Sequence, residues 1–145
     1  MATETGKRAG VIGLGAMGFG MASSLVRAGF EVSGFDPSPA AQDRAHEAGI
    51  APLATPEDVV AAAEVIVLSL PTAAHVEGVI SAARDAGLLG ADTAAKVIID
   101  TSTSEAEVSR KLSAALAEEG HGFLDAPVSG GPAGAAAGQL SVMLG

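Results

Sequence analysis

The sequence predicts an α/β fold, a mostly parallel sheet with helices on both faces. Short β-branched runs such as Val65-Ile-Val-Leu68 and Val97-Ile-Ile-Asp100 alternate with longer Ala-rich amphipathic stretches, the order that produces βαβ units. Apolar residues make up 48% of the chain and aromatics only 3%, so the core must come from Val, Ile, Leu and Ala, which suits helices packed closely on a parallel sheet. The 145 residues match one domain and are enough to bury about 68% of the unfolded surface. With no cysteine, disulfides, thiolate zinc sites and thiol catalysis are excluded. A formal charge of −9 argues against a nucleic-acid or anionic-membrane partner, because such surfaces need clustered Lys and Arg. Met1 to Arg8 lacks the basic-then-apolar order of a signal peptide, and no apolar run approaches a membrane span, so a cytoplasmic protein is expected.

In chain order, Ala9–Ile12 reads as the first strand. A helix from about Met17 follows, with Met17, Met21 and Leu25 on one face and Gly29 as its stop. Glu31–Phe35 is the second strand, and Pro37 and Pro39 then open a helix reaching about Ala48, with Gly49 ending it before a short strand near Ile50. Thr55-Pro56-Glu57-Asp58 combines a capping hydroxyl, an N1 proline and first-turn acids, predicting a helix over 56–62. Strand four is Val65–Leu68, a helix runs from Thr72 to about Arg84, and Gly87–Thr93 is an irregular connection to strand five at Val97–Asp100. Ser104-Glu105-Ala106-Glu107 fits a capping box for a helix ending at Gly120. Phe123-Leu124 is strand six, Asp125–Gly138 is expected to be irregular, and Leu140–Leu144 suits a final strand.

Gly13-Leu14-Gly15-Ala16-Met17-Gly18 fits G-x-G-x-x-G between a buried-type strand and a periodic helix, the context in which a dinucleotide pyrophosphate sits on a helix N-terminus. Gly13 permits the tight turn, Gly15 the approach of the pyrophosphate, and Gly18 close helix packing. Asp36 ends the second strand 18 residues after Gly18, where an acid accepts the adenosine ribose hydroxyls. Its charge would repel a 2′-phosphate, and no Arg follows until Arg44, so NAD is favoured over NADP. Asp36 also reads as a turn cap before Pro37. The fold is thus expected to be Rossmann-type.

Asp125-Ala-Pro-Val-Ser-Gly-Gly-Pro-Ala-Gly134 leaves strand six at the sheet's carboxyl edge. On local chemistry alone it reads first as a Pro/Gly turn, although the Ser129 hydroxyl and the N–H groups of Gly130 and Gly131 also suit a small carboxylate. Together, Gly13 to Ala22 with Leu25 and Ala28-Gly29, and Asp125 to Gly131 with Gly134-Ala135 and Gly138 to Met143, resemble the two signatures of the β-hydroxyacid dehydrogenases. That family includes 3-hydroxyisobutyrate dehydrogenase, tartronate semialdehyde reductase, L-threonate dehydrogenase and, more distantly, the 6-phosphogluconate dehydrogenases. The resemblance implies an NAD-dependent oxidoreductase transferring hydride to or from a small hydroxy acid. It places Leu70, Pro71 and Thr103 along the cofactor cleft, lets His75 brush the cofactor, and assigns Ser129, Gly130 and Gly131 to the substrate carboxylate. Ser24 stands where the family usually has asparagine.

In that family the catalytic lysine lies beyond the substrate motif, at the start of a helix leading to a second, all-α domain. Carried onto this sequence, the resemblance puts that lysine beyond Gly145. Residues 1–145 are therefore expected to form the cofactor domain, with no residue in the lysine's role and no activity alone. Lys7, Lys96 and Lys111 read as solvated surface charge. No metal site is expected of His46, His75 and His121, whose spacings converge with no third ligand, and His46 and His121 are expected to be exposed. The partner is a small hydroxy acid, with homo-oligomerisation left open. The competing expectation is a stand-alone, non-catalytic nucleotide-binding module.

Overall fold

The structure is a computed structural model and describes residues 7–102, 105–129 and 141–142. Its elements follow the alternation of the sequence: β1 (Arg8–Ile12), α1 (Ala16–Arg27), β2 (Glu31–Phe35), α2 (Pro39–Glu47), β3 (Ala51–Pro52), α3 (Pro56–Ala62), β4 (Val65–Leu68), α4 (Ala73–Asp85), β5 (Val97–Asp100), α5 (Ala106–Glu118) and β6 (Gly122–Asp125). The six strands form one parallel sheet in the order β3-β2-β1-β4-β5-β6. Strand order reverses between β1 and β4, which opens a crevice at their carboxyl ends, the place where sheets of this kind bind ligands.

The pleat divides the core in two. Ile12, Ile66, Leu68 and Ile98 face α3, α4 and α5, contributing with Val59, Val76, Ile80 and Leu116 to one cluster. Val11, Val32 and Val67 point the other way and pack with Ala22 and Ala45 of α1 and α2. The apolar stripe expected on α1 is only half-buried at Met17, Met21 and Leu25. The residues that reach the interior are small, Gly18, Gly20 and Ala22, because the helix lies too close to the sheet for longer side chains.

Local chemistry sets the helix ends. Ser38, Thr55 and Thr72 cap α2, α3 and α4 by accepting from the N–H groups of Ala41, Asp58 and His75. Gly29, Gly49, Gly87 and Gly120 follow helix ends at positive φ. Helix α5 departs from expectation: its N-cap is Glu105, with no side-chain capping bond, in place of Ser104, which lies outside the described residues. The Asp125–Gly138 stretch also holds some regular structure, since β7 (Val128–Ser129) pairs antiparallel with β8 (Ser141–Val142). Local turn chemistry gave no sign of this because the partners are distant in sequence, Val128 opposite Val142 and Ser129 opposite Ser141.

His121, expected to be exposed, is 3% accessible. Its Nδ1 accepts the Lys96 N–H at 3.1 Å, and its Nε2 lies 3.0 Å from the Gly90 carbonyl, so the ring pins the irregular connection between α4 and β5. His121→Ala would leave the Lys96 N–H without its partner, while the Gly90 carbonyl keeps the Thr93 hydroxyl, and is expected to cost about 1–3 kcal/mol, measured by denaturant unfolding. Lys96 is also less solvated than expected. Its Nζ donates to the Ala63 carbonyl at 2.7 Å, and burial together with the nearby Arg8 charge pulls its pKa below the usual lysine range. His46 and Lys111 are exposed. No helix among the described residues is long and apolar enough to cross a membrane.

Candidate functional site

The turn after β1 builds the floor of the crevice. Gly13 has φ +98°, and a side chain there would also collide with the Ser69 carbonyl after β4. Gly18 packs on the Gly13 carbonyl so tightly that a Cβ would overlap it. Gly15 differs from both, because a Cβ built on it meets nothing within 4 Å. It is the N-cap of α1 and has no side chain with which to cap the helix, so the first N–H groups of α1 have no partner within the helix.

Asp36, one residue beyond β2, is fixed against this turn. Its Oδ2 accepts the Leu14 N–H at 2.8 Å and its Oδ1 the Ser38 N–H at 2.9 Å. The turn-cap reading of Asp36 therefore holds, and the cap itself holds the carboxylate at the crevice. On the opposite wall the Leu70 N–H donates to the Ser102 hydroxyl at 2.8 Å, and the Ser102 N–H to Asp100 Oδ1 at 2.9 Å, so the loop after β4 is tied to the end of β5. His75 starts α4 with Nδ1 2.7 Å from the Thr72 hydroxyl, which sets the ring's orientation.

These parts enclose a cavity of about 690 Å³. Of the residues singled out in the sequence, Gly13, Gly15, Ala16, Met17, Asp36, Leu70, Pro71 and His75 line it. Leu14 and Gly18 do not: Leu14 is buried in the core and contributes its backbone N–H to Asp36, and Gly18 lies behind the turn. Ile12, Phe35, Pro37, Pro56, Ser69 and Val79 complete the walls. The crevice is thus largely apolar, with a carboxylate at one end and unpaired helix N–H groups at its floor, a donor and acceptor set that fits a dinucleotide.

Thr103, Gly130 and Gly131 lie outside the described residues, and Ser129 is described only through the backbone of β7. Gly145, beyond which the resemblance puts the catalytic lysine, also lies outside them, since they end at Val142. The structure therefore neither places that lysine nor puts another residue in its role. Asp125, at the end of β6, stands in register with the fully buried Asp100, and burial together with that charge raises its pKa above the usual carboxylate value. Among the described residues no group of three or more His, Asp or Glu side chains is arranged to hold a metal ion.

Sequence distance concealed Arg44. It lies on α2, its Nη2 donates to the Leu14 carbonyl at 3.2 Å, and its guanidinium stands 4.4 Å from the centre of the Phe19 ring. Because α2 folds back, Arg44 shares with Asp36 a second concavity beside the crevice, though no ion pair joins the two.

Residues 8–145 match the family model described as the NAD binding domain of 6-phosphogluconate dehydrogenase. The chain is 41% identical over 139 residues to the NAD-dependent L-serine dehydrogenase of Pseudomonas aeruginosa, covering 96% of this chain and 46% of that protein. It is 41% identical over 134 residues to the L-threonate dehydrogenase of Cupriavidus necator, covering 92% and 44%. Among solved structures it resembles Mycobacterium tuberculosis 3-hydroxyisobutyrate dehydrogenase with L-serine, at TM-score 0.86 and 36% identity over 96% of this chain and 46% of that one. The chain thus spans about half the length of the relatives it matches. It has a Rossmann-type fold and belongs to the family of NAD-binding domains found in 6-phosphogluconate dehydrogenase and the related hydroxyacid dehydrogenases.

Proposed function

We propose that this chain is the cofactor half of an NAD-dependent hydroxyacid dehydrogenase. The observation that carries the reading is the pairing of an open N-cap at Gly15 with a carboxylate, Asp36, held against the same turn by the Leu14 N–H. In this reading the N–H groups of Ala16 and Met17 meet the pyrophosphate, Asp36 accepts the adenosine ribose hydroxyls, and Leu70, Pro71, His75 and Thr103 run along the nicotinamide side. The bound nicotinamide accepts or returns a hydride at its C4. Ser129, Gly130 and Gly131 hold the carboxylate of a small 3-hydroxy acid, and a lysine beyond Gly145 exchanges the hydroxyl proton. The L-serine and L-threonate dehydrogenases among the relatives support a small polar acid as substrate. The proteins are similar over one half only, so a stand-alone nucleotide-binding module remains the second reading.

Calorimetric titration with NADH tests the cofactor assignment. One saturable site is expected, and Asp36→Ala should weaken it about tenfold through loss of the charge-assisted hydrogen bonds to ribose. Equal affinity in the folded variant would place the ribose elsewhere.

A further inference from the structure

The parallel pairing of β4 with β5 ends at Leu68 opposite Asp100, and the loop beyond it, which carries Leu70 and Pro71 along the crevice, is held by other means. Ser69 still donates its N–H to the Ile12 carbonyl at 2.9 Å, whereas the Leu70 N–H reaches across to the Ser102 hydroxyl at 2.8 Å. Ser102 is itself buried, and its N–H donates to Asp100 Oδ1 at 2.9 Å. The main-chain carbonyl of Asp100 accepts the Ala126 N–H at 2.8 Å, where the chain leaves β6 toward Ser129. One residue therefore joins the walls that follow β4, β5 and β6. Its position is costly for a carboxylate, since Asp100 is fully buried and the residue in register with it on β6 is a second acid, Asp125. A group that burial and like charge both penalise belongs where function requires it, and Asp100 does not itself line the crevice. What it can supply there is order in the residues that do.

We propose that Asp100 is a positioning residue for the nicotinamide half of the cofactor: through Ser102 it fixes Leu70 in the crevice wall, and through its carbonyl it sets that wall against the segment leaving β6. The proposal rests on the placement of the nicotinamide along Leu70 and Pro71. A charge-assisted bond to the Ser102 N–H holds the Ser102 hydroxyl where the Leu70 N–H needs it, so the wall is already formed when the nicotinamide arrives and no ordering cost falls on binding. The adenosine and pyrophosphate, placed at Asp36 and Gly15 on the β1 and β2 side of the crevice, do not depend on this relay.

Calorimetry with NADH and with ADP-ribose, which keeps the adenosine, pyrophosphate and second ribose but lacks the nicotinamide, reads the nicotinamide contribution as the ratio of the two affinities. Asp100→Ala is expected to lower that ratio about tenfold while the affinity for ADP-ribose stays within about twofold of the parent's. Asp100→Asn, whose amide oxygen still accepts the Ser102 N–H, should keep most of the parent ratio. Ser102→Ala removes the acceptor of the Leu70 N–H with Asp100 in place and should lower the ratio likewise, an arm that stands even if Asp100→Ala folds poorly. An undiminished ratio in folded Asp100→Ala or in Ser102→Ala overturns the proposal, as does a loss in Asp100→Asn as large as in Asp100→Ala. Equal weakening of both ligands also overturns it and makes Asp100 a residue of the fold alone. NADH bound no tighter than ADP-ribose by the parent chain overturns instead the placement of the nicotinamide, and with it the proposal.

Discussion

Gly15→Val is expected to abolish NAD(H) binding while leaving the fold intact. Gly15 has φ −66° and ψ −171°, an extended conformation open to any residue, and a Cβ on it meets no protein atom within 4 Å. The valine therefore introduces no clash and little backbone strain in the free protein. Its two methyl groups instead occupy the crevice at the N-terminus of α1, where a pyrophosphate must come within hydrogen-bonding distance of the N–H groups. Loss of that approach should weaken NADH binding about a hundredfold or more, equal to about 2.7 kcal/mol, with circular dichroism and the unfolding midpoint close to the parent's. Gly18→Ala is the informative control. Its Cβ overlaps the Gly13 carbonyl, a backbone group that cannot swing away, so it should cost about 1–3 kcal/mol of stability in the same unfolding experiment. Normal NADH affinity in folded Gly15→Val would make the glycine turn purely structural.

The purified chain is expected to bind NAD yet oxidise no hydroxy acid. Alcohol oxidation requires the hydroxyl proton to leave as hydride departs, and a positioned general base contributes about 10²–10⁴-fold to such steps. None of the lysines fits the task. Lys7 precedes β1, and Lys96 precedes β5 with its Nζ on the carbonyl of Ala63, which precedes β4, so both sit at the amino edge of the sheet, opposite the crevice. Lys111 is exposed on α5. Among the described residues none covers the open side of the crevice to exclude water or align two reactants, so orientation and desolvation are lost as well. NADH absorbance should stay at the buffer rate with 3-hydroxyisobutyrate, glycerate, threonate and gluconate. Saturable turnover with any of them would place a base within residues 1–145.

Where local chemistry decided the outcome, the sequence was sufficient. Thr55-Pro56, Thr72 and the helix-ending glycines mark α2, α3 and α4 through interactions spanning three or four residues, and the boundaries of β2, α3, β4 and β5 coincide with expectation. The glycine turn was legible in part for the same reason, since the positive φ of Gly13 and the packing of Gly18 on the Gly13 carbonyl are constraints within six residues. Tertiary contacts were less visible. His121 follows a helix stop and looks like a surface turn residue, but its partners are Gly90 and Lys96, joined to it only by sheet pairing of β5 with β6. Arg44 lies thirty residues from Leu14 and meets it because α2 packs beside α1, a proximity that no spacing rule encodes. The same holds for α1, where the obvious Met and Leu stripe yields the closest contacts to glycine and alanine.

The central claim, that this chain binds NAD in the crevice between β1 and β4, is tested most directly by titrating NADH into the ¹⁵N-labelled protein and following backbone amide resonances. The largest shifts are expected at Gly13, Gly15, Ala16 and Met17, with Asp36 and Leu70 moving in the same titration and with one common affinity. The amides of Gly90, Lys96 and His121, at the opposite edge of the sheet, should stay in place. Shifts centred on that opposite edge, or no saturable shifts at all, would contradict the account.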